Sequence, residues 1–222
     1  MNSILLYHGS RTGITGDIQP QSRSRCDFGS GFYMGTRPEQ AKGLVYNDTS
    51  PMFYTMNLHL ENIPDMKILT LSDMDWAFYV LYNRGSLETI KNTPLYEKIS
   101  NLDRNKDIVI GPIADDNMNS IMKKFIKGEI TDKAFLECIR CIDYGVQYVA
   151  KTETACQQIE ILSAEKFDMS KYKEYQKFNT ERRKESKQKV DTIRHLYRRD
   201  GQYLDQILDI YKTNSQSCIL KG

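Results

Sequence analysis

The chain opens on a short apolar run, Ile4-Leu5-Leu6-Tyr7, that stops at His8-Gly9-Ser10. A run of that length bounded by glycine predicts a buried strand. From Arg11 to Ser30 the hydrophobic period vanishes among glycines, serines and arginines, which predicts a loop. Asp27-Phe28-Gly29-Ser30-Gly31-Phe32-Tyr33-Met34 then sets glycines directly against aromatics. Thr36-Arg37-Pro38-Glu39 has capping-box spacing with proline in the first turn, so a helix is expected through Ala41 and Leu44. Met52–Leu60 alternates as a second core strand should.

The middle of the chain reads as helical. Ser72-Asp73-Met74-Asp75 repeats the capping pattern ahead of Trp76, Phe78, Tyr79, Leu81 and Tyr82, and Gly85 ends that helix. A further helix is expected over Leu87–Ser100. Asp107–Pro112 reads as a short buried strand leading to the polar corner Asp115-Asp116-Asn117. Helices follow over Asn117–Lys127 and from Thr131, with Ala134, Phe135, Cys138 and Ile139 on one face. Gln147–Thr152 and Gln158–Leu162 read as strands. From Ser170 the pattern is helical, first polar and basic, then amphipathic through Ile193, Leu196, Tyr197, Leu204, Ile207, Leu208 and Tyr211. The expected class is therefore α+β. A main domain spans 1–167, with a helical insertion over about 72–143, and a basic and amphipathic helical tail spans 168–222.

Composition narrows the picture modestly. Of 222 residues, 40% are hydrophobic, enough for one sizeable core, and no apolar run reaches the ~20 residues of a membrane span. The first residues lack the cationic and long apolar regions of a secretion signal. Five cysteines, Cys26, Cys138, Cys141, Cys156 and Cys218, fit no disulfide framework and are expected as reduced thiols of a cytoplasmic protein. Three histidines and these cysteine spacings make a metal site unexpected. The net charge of +2 conceals an asymmetry: Lys171–Arg199 carries eleven Lys/Arg against four Asp/Glu, so the preceding part is mildly acidic. Such a tail is either a solvated helix face or a contact for a polyanion or acidic partner.

No standard nucleotide-binding motif is present: there is no Walker loop, and the Gly29-x-Gly31 pair leads into an aromatic strand rather than a helix. What stands out is Tyr7-His8-Gly9-Ser10 followed by Asp27-Phe28-Gly29-x-Gly31-Phe32-Tyr33. These motifs resemble those of the diphtheria-toxin and poly-ADP-ribose-polymerase branch of ADP-ribosyltransferases. The resemblance is closest to an uncharacterised bacterial domain family of that superfamily. It extends through Glu39-Gln40-Ala41, Trp76 before Asn83-Arg84, Asp107-Ile108-Val109-Ile110-Gly111-Pro112-Ile113-Ala114-Asp115-Asp116, and Gln147-Tyr148-Val149 with Thr152 and Ala155, over about residues 4–165.

The resemblance implies a split-sheet fold and an enzyme that transfers ADP-ribose from NAD⁺ to a macromolecular acceptor, a protein or nucleic acid, releasing nicotinamide. It implies that His8 bonds a ribose hydroxyl, that the Gly9 backbone holds the carboxamide, and that Tyr33 stacks on the nicotinamide, with Ser10, Gly31 and Phe32 as further cofactor contacts. Gln40 is a further cofactor contact. Leu44 or Tyr46 forms the second wall. Arg23 or Arg25 binds the pyrophosphate, or both are surface arginines. Gln147 stands where the best-known members carry glutamate. An amide orients a hydroxyl but is no general base, so Asp115 and Asp116 are the candidates for the acceptor's proton, or they are turn residues capping the next helix. Gln157, Gln158 and Glu160 form a competing third motif, and Asp27 reads as a turn-former. A toxin-like role with a small neutralising protein partner is implied by likeness alone. NAD⁺ hydrolysis and a catalytically silent module binding NAD⁺, ADP-ribose or nucleic acid remain as alternatives.

Overall fold

The computed structural model describes residues 3–23, 25–45, 50–114, 116–141 and 145–219, with the side chains of residues 116–117, 169, 182 and 213–219 outside that description. Seven strands, β1 (Ile4–Ser10), β2 (Phe32–Gly35), β3 (Met52–Leu58), β4 (Ile68–Thr70), β5 (Ile108–Pro112), β6 (Val146–Ala150) and β7 (Ile159–Lys166), form one mixed sheet. Among the described residues eight α-helices surround it: α1 (Pro38–Val45), α2 (Asp73–Asn83), α3 (Pro94–Ser100), α4 (Asp116–Ile126), α5 (Asp132–Arg140), α6 (Glu153–Cys156), α7 (Tyr172–Leu196) and α8 (Leu204–Ile219). The α+β class therefore stands.

The strand order is β4-β5-β6-β2-β1-β3-β7. β1 pairs with β3 along all seven residues, from Ile4↔Leu58 to Ser10↔Met52, but with β2 only at Tyr7↔Gly35. The sheet is thus two wings joined by a seam one residue pair wide. Alternation sends successive side chains to opposite faces. On β2, Phe32 and Met34 enter a core with Leu6, Met56 and Leu58. Tyr33 and Val149 face the larger core built by α2–α5 around Trp76, Tyr79, Phe125 and Phe135.

Several expectations need correction. The helix expected over Leu87–Ser100 is broken: Glu88–Ile90 forms a single 3₁₀ turn, and α3 starts afresh at Pro94. Proline cannot continue a helix, and Thr93 caps the new one by accepting the Tyr96 N–H. Ser72 makes no side-chain cap bond, and Asp73 has a positive φ of 49°, so the capping box over Ser72–Asp75 does not form. Thr36 instead ties its segment to β6, its hydroxyl accepting the Val146 N–H at 3.1 Å. The strand expected to reach Thr152 stops at Ala150, because Thr152 caps α6. β4 was not expected at all. The tail packs onto the main domain: Val190 and Leu204 are buried in the larger core, with Ile193, Tyr197, Ile207, Leu208 and Tyr211 packed against it. Cys26, Cys138, Cys141 and Cys156 are free thiols; burial pushes Cys138 up to about 12. No described helix is long and apolar enough to cross a membrane.

Candidate functional site

The seam holds the site. Past Tyr7↔Gly35 the strands β1 and β2 part, and the imidazole of His8 fills the gap. Its Nδ1 donates to the Tyr33 carbonyl at 2.6 Å, and its ring stacks on Phe32 with centroids 4.4 Å apart. A carbonyl only accepts, so the proton sits on Nδ1 and Nε2 is left as an acceptor in the neutral ring. Burial lowers the His8 pKa from the ordinary 6.5, with the Tyr33 bond opposing it more weakly.

That shift carries a stability prediction. The unfolded chain binds a proton at position 8 before the folded one does, so His8 costs stability as pH falls below about 6.5. Thermal melts between pH 7.5 and 5.5 should show wild type losing more stability than His8→Asn. Parallel slopes for the two proteins would remove His8 from the account. The difference between proteins is the quantity to read, because exposed His59, raised by hydrogen bonds to Glu61 and Glu160, titrates in the opposite sense in both.

Tyr33 is fixed at its far end. Its hydroxyl accepts the Phe28 N–H at 2.9 Å and donates to the Gly29 carbonyl at 2.8 Å, and burial raises its pKa. The phenol is therefore a protonated, immobile wall. Gly31 lets β2 lie close to β6, since a side chain there would run into Val149 Cγ1 and the Ala150 carbonyl. Gly9 plays the same part against α1, where a Cβ would overlap the Ala41 carbonyl.

Gln147, 6% exposed, is anchored through its nitrogen: Nε2 donates to the Pro112 carbonyl at 3.1 Å and to Asp27 Oδ2 at 3.4 Å. Both partners are acceptors, so the amide orientation is determined and its carbonyl oxygen is left for a ligand hydroxyl. Asp27 is held in turn by Arg84, whose Nε and Nη2 lie 2.9 and 2.5 Å from Oδ1. Asp27 is thus more than a turn-former, and this triangle was missed in the sequence. The signal was present: Asp27, Arg84 and Gln147 all fall in the motifs quoted above, but separated by 57 and 120 positions.

These elements enclose a cleft of about 110 Å³. Its lining contains His8, Gly9, Tyr33, Gln40, Leu44 and Gln147 among the expected residues, together with Tyr7, Met34 and Ile113. Of the other candidates, Ser10 closes the turn after β1 by accepting the Gly13 N–H, and Phe32 supports His8 from behind. Arg23 and Arg25 are exposed on the loop, Arg25 with a φ of 59°, and neither lines the cleft. Gln158 bonds Asn62 and Glu160 pairs with His59 at the β7 edge, so the competing third motif lies outside the cleft, as does Gln157. Asp115 and Tyr46 lie outside the described residues, and Asp116 begins α4. A larger hollow of about 230 Å³ lies by the end of α7, where Arg194 and Arg198 face Glu129 and Asp191; it contains none of the expected residues. Among the described residues no group of three metal-ligating side chains is assembled.

The cleft can seat one flat ring beside Tyr33 and offer acceptors to hydroxyls through His8 Nε2 and the Gln147 carbonyl. Its described lining has no carboxylate, thiol, amine or serine hydroxyl. No curated protein and no solved structure matches the chain. Residues 4–161, well over half of it, match the family described as "Protein of unknown function (DUF3990)". The chain therefore belongs to the DUF3990 family.

Proposed function

We propose that the protein is an ADP-ribosyltransferase that cleaves NAD⁺ at its nicotinamide–ribose bond. The observation that carries the proposal is the cleft itself: a pinned aromatic wall beside two oriented acceptors. Such a lining suits a flat ring joined to a group that bears hydroxyls. In NAD⁺ the C1′–N bond breaks with its electron pair passing to the cationic nicotinamide nitrogen, so nicotinamide leaves neutral and needs no acid. An acceptor lone pair then closes on C1′, and the acceptor's proton passes to solvent. Water in the acceptor's place gives hydrolysis.

The residues divide the work by position. Tyr33 holds the ring, an offset stack contributing about 0.5–1.5 kcal/mol beyond burial. His8 and Gln147 fix the ribose hydroxyls, so the substrate is held near its reactive geometry. At about 110 Å³ the cleft is smaller than the roughly 300–1,000 Å³ of sites that enclose a drug-sized ligand. It suits the nicotinamide end, with the rest of the dinucleotide lying along the open surface.

Nicotinamide release from NAD⁺ by purified protein, with lysate supplying acceptors, is the direct test. His8→Ala and Tyr33→Ala should each lower the rate about 10–100-fold, as expected when a positioning contact of roughly 1.4–2.8 kcal/mol is lost. Equal inactivity of wild type and both variants would sink the proposal. Gln147, an amide where the best-known ADP-ribosyltransferases carry glutamate, favours one second reading, NAD⁺ binding without turnover. Calorimetric binding with no nicotinamide released would identify it.

A further inference from the structure

α7 separates its charges. At 3.6 residues per turn, Lys173, Lys177, Lys184 and Lys187 fall within an arc of about 80° on one flank, while Glu174, Glu181 and Glu185 gather on the adjacent arc. All seven side chains are exposed. On the lysine arc itself only Asp191 carries the opposite sign. Lys173, Lys184 and Lys187 join no ion pair among the described residues. Lys177 lies 3.8 Å from Glu181, a surface pair worth about 0–1 kcal/mol. Asp191 sits at the C-terminal end of the stripe, 3.7 Å from Arg194.

The stripe is also rigid. The opposite flank of α7 is packed along its length, through Tyr175 against Phe167, Asn179 against Gly43 of α1, and Val190 in the larger core. The backbone positions of the four lysines are thereby held in a straight row about 21 Å long, at a rise of 1.5 Å per residue. A nucleic-acid duplex presents one phosphate per ~3.4 Å of each strand along a stiff axis, so such a row reaches several phosphates at once.

We propose that this flank of α7 binds the phosphate backbone of a nucleic-acid duplex without reading its sequence. Lysine acts on phosphate as a point charge, and the aromatics of α7 (Tyr172, Tyr175 and Phe178) lie off the stripe, which removes the stacking platforms that single strands use. A membrane surface fits less well, because a helix lying on lipid buries a continuous apolar face, and the exposed large apolar side chains of α7, Phe178 and Leu196, stand about five turns apart and off the stripe. The binding does not depend on the reading of the cleft.

The test is fluorescence anisotropy of the full chain with a 20-base-pair DNA duplex across 50–200 mM salt. Four phosphate contacts give a slope of log Kobs against log[salt] of about −3.6, or roughly a 150-fold loss over that range. Replacing Lys173, Lys177, Lys184 and Lys187 by Gln should make the slope shallower by about 3.6. Glutamine has nearly the helix propensity of lysine, and circular dichroism checks that α7 remains folded. Replacing Lys91, Lys123, Lys127 and Lys166 by Gln removes the same charge elsewhere and should leave the slope unchanged. The proposal is overturned by absence of binding at 50 mM salt or by equal loss in both variants. Tighter binding to a single strand of equal length or to phosphatidylserine vesicles also overturns it.

Discussion

Replacing Gln147 by glutamate is expected to damage the protein and its site together, although it installs the residue that the best-known ADP-ribosyltransferases carry. A carboxylate oxygen would take the place of Nε2, facing the Asp27 carboxylate and the Pro112 carbonyl, two acceptors with no proton to share. At the 3.4 Å separation, like charges repel by about 5 kcal/mol at an effective dielectric constant near 20, before Arg84 offsets part of it. Gln147 is too buried for water to relieve the conflict. The new side chain must hold a proton or swing out of place, and either outcome misaligns the group that lines the cleft. Gln147→Glu should lose about 2–3 kcal/mol of stability, roughly 4–12 °C in Tm, and lower nicotinamide release about 10–100-fold at pH 7.5. Adding Asp27→Asn restores a donor–acceptor pair with the roles exchanged, so the double variant should regain about 1–2 kcal/mol, a coupling read directly from the four melts. A Gln147→Glu protein as stable as wild type, with faster turnover, would show that Asp27 places no constraint on position 147.

How much of this was legible beforehand depended on how local each feature is. β1 showed as an apolar run, although the strand carries on through Gly9 and Ser10, where glycine predicts its end. The start of α5 showed through Thr131, whose hydroxyl does accept the Ala134 N–H. Thr93-Pro94 carried the same kind of signal as Arg37-Pro38, yet it was hidden inside a pattern long enough to read as one helix from Leu87 to Ser100. β4 is three residues long and pairs in parallel with β5, so it has no alternation to detect. The Asp27–Arg84–Gln147 triangle has no local expression whatever: a single sequence shows three polar residues, and only the fold makes them neighbours. The one-pair seam between β1 and β2 was equally invisible. It arises because β1 follows β3 for seven residues while β2 follows β6, and that divergence opens the space His8 occupies. Motif order pointed to the cleft, but the reason its parts meet lies in the strand register.

Gly9 gives the sharpest way to separate the shape of the cleft from its chemistry. It reacts with nothing, and its side-chain hydrogen faces the α1 backbone. Adding one methyl by Gly9→Ala would drive a carbon into the Ala41 carbonyl and bring it within 3.2 Å of Val45 Cγ1. A helix carbonyl cannot rotate aside as a side chain can, so α1 must lift. On its far side Gly43 packs against the Asn179 side chain of α7. Overpacking of this kind costs about 1–3 kcal/mol, roughly 2–12 °C in Tm for a chain of this length. Lifting α1 also carries Gln40 and Leu44 away from Tyr33, so KM for NAD⁺ should rise while His8 and Gln147 keep their hydrogen bonds. Gly43→Ala is the control on the same helix: its methyl meets only the end of the Asn179 side chain, and alanine suits a helix better than glycine does. That variant should melt within about 1 kcal/mol of wild type and keep its KM. If Gly9→Ala instead melts with wild type and binds NAD⁺ as tightly, the position of α1 is not set by the close approach at Gly9, and the walls of the cleft are looser than the packing requires.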